Sequence, residues 1–103
     1  VAHELAIQSE EILDAATREL VHDEGRVELT SLEFGVFSYL KEREGKAVSR
    51  AELLEHVWAR RVNAGSNVID VVIRSLRKKL GERAWMVSTV RGLGYRYRSL
   101  QPN

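Results

Sequence analysis

The sequence predicts an α+β domain: an antiparallel meander first, then three helices, then a β-hairpin. Three observations carry this expectation. Short alternating apolar segments with polar or glycine-bearing breaks fill residues 4–29. Capping boxes of the form T/S-x-x-E open apolar-periodic stretches at Thr30 and Ser49. Near the end of the chain, Gly92-Leu93-Gly94 divides two extended segments.

The meander rests on Leu5-Ala6-Ile7, Ile12-Leu13-Asp14, Glu19-Leu20-Val21 and Val27-Glu28-Leu29, with breaks such as Asp23-Glu24-Gly25 between them. The first helix opens at Thr30-Ser31-Leu32-Glu33, lines up Leu32, Val36 and Leu40 with Phe37 and Tyr39 at their flanks, and ends near Gly45. A second opens at Ser49-Arg50-Ala51-Glu52 and presents Leu53, Leu54, Val57 and Trp58. Residues 59–65, ARRVNAG, break the periodicity and read as a loop. Ser66 can cap a third helix that runs to Gly81, and residues 85–98 form the hairpin. The 103 residues are enough for one core without disulfides or metal, so a single domain over 1–103 is expected, with a sheet at about 4–29, a three-helix core at 30–81 and the hairpin at 85–98. No internal repeat or linker interrupts it.

Composition excludes several classes. With no cysteine, neither a disulfide framework nor a thiolate metal site is available. No apolar run approaches the roughly 20 residues that span a bilayer, and the first residues lack the basic-then-apolar order of a signal peptide, so a soluble intracellular chain is expected. His3, His22 and His56 fall in separate elements without carboxylates at ligand spacing, and no nucleophile elbow or Ser-His-acid arrangement is present. Glu33 and Glu52 resemble paired acids, but capping explains both. The expectation is no enzyme, no metal and no cofactor.

The net charge of +1 hides a polarity. Up to Glu33 acids dominate, with only Arg18 and Arg26 against them; from Arg74 to Arg98, eight basic residues face a lone Glu82. Such a division points to a polyanion on one side. A solvated helix face beside a basic edge strand is the plain alternative on charge alone.

Helical phasing of the third helix goes further. Ile69, Ile73, Leu76 and Leu80 form one buried stripe. The opposite face carries Asn67, Val71, Arg74 and Lys78, with Ser75 beside them. A major groove admits one helix, where Arg, Asn or Ser can hydrogen-bond base edges and Val can meet a thymine methyl. Asp70 and Arg77 lie between the faces; Asp70 is expected to pair with an arginine and orient it, with Arg77 as the candidate partner. On the hairpin, Arg91 sits at the tip, suited to a minor groove whose negative potential deepens in A·T-rich DNA. Thr89, Tyr95 and Arg96 can position the ribbon on phosphates. Gly-x-Gly is no dinucleotide fingerprint, because the third glycine and the following helix are missing.

These stretches together resemble the OmpR/PhoB-type winged-helix DNA-binding domain of bacterial two-component response regulators. LTSLEF is similar to the opening of that family's first helix, VSRAELLEHVW to its second, NVIDVVIRSLRKKLG to its recognition helix and STVRGLGYRY to its wing. The resemblance covers about residues 12–98. It implies an N-terminal four-stranded sheet, three helices and a wing, with the third helix in the major groove. It implies base contacts by Val71 and Ser75, with Arg74 and Lys78 nearer the backbone. Arg91 would be the minor-groove arginine, and Trp58, Thr89 and Tyr95 would touch phosphate, as would Val72, Arg77 and Arg96. The loop bearing Arg60, Arg61 and Asn63 corresponds to one that contacts RNA polymerase in some members. Asn67 stands where several relatives carry arginine, and Val72 and Ser75 are less polar than some counterparts, which suggests apolar contacts or a different target. Further implied are a cytoplasmic bacterial setting, a phosphoacceptor receiver domain elsewhere in the full-length protein, and transcription regulation. The isolated domain is expected to be monomeric, pairing in tandem on direct repeats of double-stranded DNA. A winged-helix module docking an acidic protein is the alternative.

Overall fold

The computed structural model describes residues 13–22, 25–57 and 67–100. Three short strands come first, β1 (Leu13–Asp14), β2 (Glu19–His22) and β3 (Gly25–Glu28), paired antiparallel in the order β1-β2-β3. Their register sets Leu13, Leu20 and Val27 side by side, so one face turns to the core, with Leu20 fully buried. Asp14 organises the connecting turn by accepting from the amides of Ala16 and Thr17, while Arg26 bridges Asp14 and Glu19 at 2.9 and 3.1 Å. The sheet thus has three strands among the described residues, against the four expected; the segment Leu5-Ala6-Ile7 lies outside them.

Helix α1 (Ser31–Glu42) starts at the expected capping box. The Thr30 hydroxyl accepts from the Glu33 amide, and the Glu33 carboxylate accepts from the Thr30 amide at 2.8 Å. Val36, Phe37 and Leu40 are fully buried, and Phe37 meets Tyr97 edge-on at 5.5 Å. The helix ends at Glu42, before Gly45, whose amide instead donates to the Tyr97 carbonyl.

A strand absent from the sequence reading follows, β4 (Val48–Ser49), and runs directly into α2 (Arg50–Val57). Only half of the second capping box forms. The Glu52 amide donates to Ser49 Oγ at 3.0 Å, but the Glu52 carboxylate takes the Tyr39 hydroxyl at 2.5 Å instead of reaching back. Helix α3 (Asn67–Leu80) buries Ile69, Ile73, Leu76 and Leu80 as phased, and Val72 as well. A 3-10 turn (Gly81–Met86) leads to β5 (Val87–Val90) and β6 (Gly94–Tyr97).

The wing is more than a hairpin. β4 pairs antiparallel with β6, giving a second sheet in the order β4-β6-β5. Glycine is required at position 94, because a Cβ there would coincide with the Val48 carbonyl oxygen. One core joins both sheets to all three helices. Among the described residues no helix is long and apolar enough to cross a membrane, and no group of three His, Asp or Glu could hold a metal ion.

Candidate nucleic-acid interface

The buried stripe of α3 leaves its opposite face to solvent. Asn67, Val71, Arg74 and Lys78 are all exposed, Val71 at 55%. Val71 thus lies on the same open face as Arg74 and Lys78. Beside this face stands the wing, whose tip is closed by the Leu93 amide donating to the Val90 carbonyl at 2.9 Å. Gly92 supplies the positive φ of 77° in that turn. Arg91 is exposed there and Leu93 is 49% exposed. Arg74, Lys78 and Arg91 thus present positive charge on one helix face and on the turn of the neighbouring ribbon.

Several expected contact residues have other partners. Ser75 is half-buried and its hydroxyl donates to Glu33, so it is turned away from the exposed face of α3. The capping carboxylate of Glu33 takes, besides that hydroxyl, the Lys79 ammonium at 2.6 Å, and the residue is only 3% exposed. Lys79 also donates to the Glu28 carbonyl at 3.1 Å, tying α3 to the end of β3. Burial works to raise the Glu33 pKa, but hydrogen bonds from Lys79, Ser75 and the Thr30 amide outweigh it and hold the carboxyl below its ordinary value. Val72, expected at phosphate, is buried, with its side chain in the core.

Asp70 pairs with an arginine, as expected, but the arginine is Arg50 and not Arg77. Asp70 and Arg77 are seven residues apart, about 10 Å along the axis, well beyond the i,i+3 and i,i+4 spacings at which helical side chains are neighbours. Asp70 instead accepts from Arg50 Nε at 2.7 Å and from the Tyr95 hydroxyl. The Tyr95 hydroxyl bond first, and that from Arg50 second, lower the Asp70 pKa. Burial first, then that same Asp70 contact, raise the pKa of Tyr95. Tyr95 is therefore an internal residue whose hydroxyl is committed within the fold. Arg77 donates from Nε to the Val87 carbonyl and from its terminal nitrogen to Thr89 Oγ1, both at 2.8 Å. Thr89 is exposed and, as an acceptor from Arg77, keeps its own hydroxyl proton for an outside partner. Arg96 is half-buried, with a buried Nε that has no partner among the described residues. Trp58, Arg60, Arg61 and Asn63 lie outside the described residues.

Sequence reasoning missed Arg50 and Lys79, and saw Glu33 only as a cap. Their partners lie 20, 46 and 42 residues away, so no local spacing signals them. The LTSLEF and SLRKKL stretches carry the pairing only when the helices are brought together.

Comparison with known proteins supports the same geometry. The family model described as "Transcriptional regulatory protein, C terminal" matches residues 23–97. The transcriptional regulatory protein TrcR of Mycobacterium tuberculosis is 38% identical over 87 residues, covering 84% of this chain and 34% of TrcR. CutR of Streptomyces coelicolor is 42% identical over 84 residues, covering 82% of this chain and 38% of CutR. The chain thus spans little more than a third of the length of these relatives. Among solved structures, the DNA-binding domain of the response regulator AdeR, in complex with an intercistronic region, superposes with a TM-score of 0.71 at 30% identity, over 84% of this chain and 90% of that one. An α+β winged-helix fold, a matching family model and relatives well above 30% identity together place the chain in the family of OmpR/PhoB-type DNA-binding domains found at the C-terminal end of response regulators.

Proposed function

We propose that this domain binds double-stranded DNA sequence-specifically and regulates transcription as the effector part of a two-component response regulator, with α3 in the major groove and the wing in the minor groove. The observation that carries the reading is the exposed face of Asn67, Val71, Arg74 and Lys78 on a helix whose other side is anchored in the core, with Arg91 on the adjacent turn. Asn67 and Val71 are the base-facing residues; Arg74 and Lys78 serve base edges or phosphates. Thr89 and Arg96 are the phosphate contacts of the wing, and Arg91 its minor-groove side chain. The AdeR domain, solved with an intercistronic region, supports this use of the fold.

The family likeness extends the proposal to tandem pairing on direct repeats, to a receiver domain in the full-length protein, to a cytoplasmic setting, and to an RNA polymerase contact through Arg60, Arg61 and Asn63, with Trp58 on phosphate. It also includes a fourth N-terminal strand at Leu5–Ile7 and a single domain over 1–103.

Selection of bound sequences from a random duplex pool, followed by a salt titration on the winner, tests the central claim. The expected result is one enriched motif and a log affinity that falls with log salt at about −0.9 per phosphate neutralised. Equal affinity for every polyanion sinks specific recognition. Flat salt dependence would likewise count against specific DNA recognition, leaving the protein-docking module as the alternative.

A further inference from the structure

Two elements must enter two grooves at once, and one set of contacts fastens those elements to each other. In the first turn of α3, Asp70 accepts from Arg50 Nε at 2.7 Å and from the Tyr95 hydroxyl on β6. Two turns further along, Arg77 reaches the Val87 carbonyl and Thr89 Oγ1 on β5, each at 2.8 Å. The guanidinium carbons of Arg50 and Arg77 both lie 5.6 Å from the centroid of the Tyr95 ring. The helix is therefore fastened to each strand of the wing, at points about 10 Å apart along its axis. A single attachment leaves a pivot, whereas two separated ones set direction as well as position. The short turn at Arg91-Gly92-Leu93 then carries that direction to the tip.

We propose that Asp70, Tyr95 and Arg77 are positioning residues of a two-point clamp that sets the offset between α3 in the major groove and Arg91 in the minor groove. The domain then reads not only two subsites but the spacing between them. This rests on the groove assignment above. A contact that only stabilised the fold would lower the melting temperature and weaken all sites alike. A clamp couples energetically to Arg91, and only a double-mutant cycle sees that.

The test uses Tyr95→Phe, which removes one hydroxyl, and Arg77→Met, which keeps the stem and removes both donors; the second supplies the cycle where the first fails to fold. Each is combined with Arg91→Ala, and Kd is measured at fixed salt on the selected duplex and on one with the A·T flank moved by one base pair, with thermal melts alongside. Arg91→Ala should weaken the otherwise wild-type domain about tenfold at the selected site. In either clamp variant the same change should cost about threefold or less, and discrimination against the shifted flank should fall to a similar degree. A cost of Arg91→Ala that is undiminished in the clamp variants overturns the clamp while leaving the groove assignment intact. No cost in the wild-type background removes the minor-groove reading, and the clamp with it.

Discussion

Glu33 concentrates more of the fold than any neighbour, because one carboxylate caps α1, takes the Lys79 ammonium and holds the Ser75 hydroxyl. Its folded pKa lies below the ordinary value, hydrogen bonding outweighing burial, so the stability it contributes is present above the unfolded carboxylate pKa and is lost as pH falls through the folded one. Asp70 and Asp14, lowered by Tyr95 and Arg26 respectively, act in the same sense. Glu33→Gln should therefore cost about 1–3 kcal/mol near neutrality and flatten the acid limb of urea midpoint against pH; an unchanged limb would assign it to the aspartates. Tyr97 has the opposite sign. Burial, then the nearby Glu44, push its pKa up to about 12, so its contribution is present below the unfolded tyrosine pKa and is lost as pH rises from there through the folded value. Tyrosinate absorbance should show one tyrosine titrating together with alkaline unfolding, and Tyr97→Phe should abolish that step. A step that persists in the variant would point to Tyr39 or Tyr95, whose pKa values are also raised, Tyr39 chiefly by its bond to Glu52.

At the scale of elements, α3 was largely legible and the wing only partly so. The 3.6-residue period separates Ile69, Ile73, Leu76 and Leu80 from Asn67, Val71, Arg74 and Lys78, and the structure keeps that division. Val72 and Ser75 sit at its borders, where the period alone does not decide and the packing of α1 does. Ser75→Ala should then lower stability by about 1 kcal/mol while leaving base preference in place. Val71→Ala should do the reverse, changing preference at a T·A position by about 1 kcal/mol. Binding selections on both variants, with melts, decide this, and a changed motif for Ser75→Ala would return that residue to the groove. Strand β4 escaped notice because two residues are too few for an alternation pattern, yet it sets the tolerance of the wing. A Cβ at position 94 meets the Val48 carbonyl, whereas one at 92 meets nothing and only strains a positive φ. Gly94→Ala should cost about 3 kcal/mol or more, Gly92→Ala about 1–2 kcal/mol, in thermal or urea unfolding.

At the scale of the whole molecule, charge and shape divide the work. The acidic N-terminal third is internally compensated in part, with Arg26 bridging Asp14 and Glu19, while Arg74, Lys78 and Arg91 present their charge outward. Lys78→Ala should weaken binding to all duplexes by a similar factor and reduce the salt slope by about 1. An unchanged slope would mean that Lys78 meets no phosphate. Not every basic residue adds to that field equally: Lys79 is ion-paired with Glu33, whereas Arg77, bonded to neutral acceptors on β5, keeps its charge but is held in place by the wing. Counting cations along the chain therefore overstates the basic surface.

The amino-acid sequence alone determined the three helices and the hairpin, the capping box at Thr30, the buried stripe of α3 and the glycine turn of the wing, because each depends on residues within about three helical turns or one hairpin of each other. It also carried the motifs of the family. Which polar side chains remain free for a ligand was decided only by the tertiary structure. Hydrogen-bond capacity is settled by partners that burial brings together, and Glu33 with Ser75, Asp70 with Arg50 and Tyr95, and Arg77 with Thr89 are pairings across elements that no local period encodes.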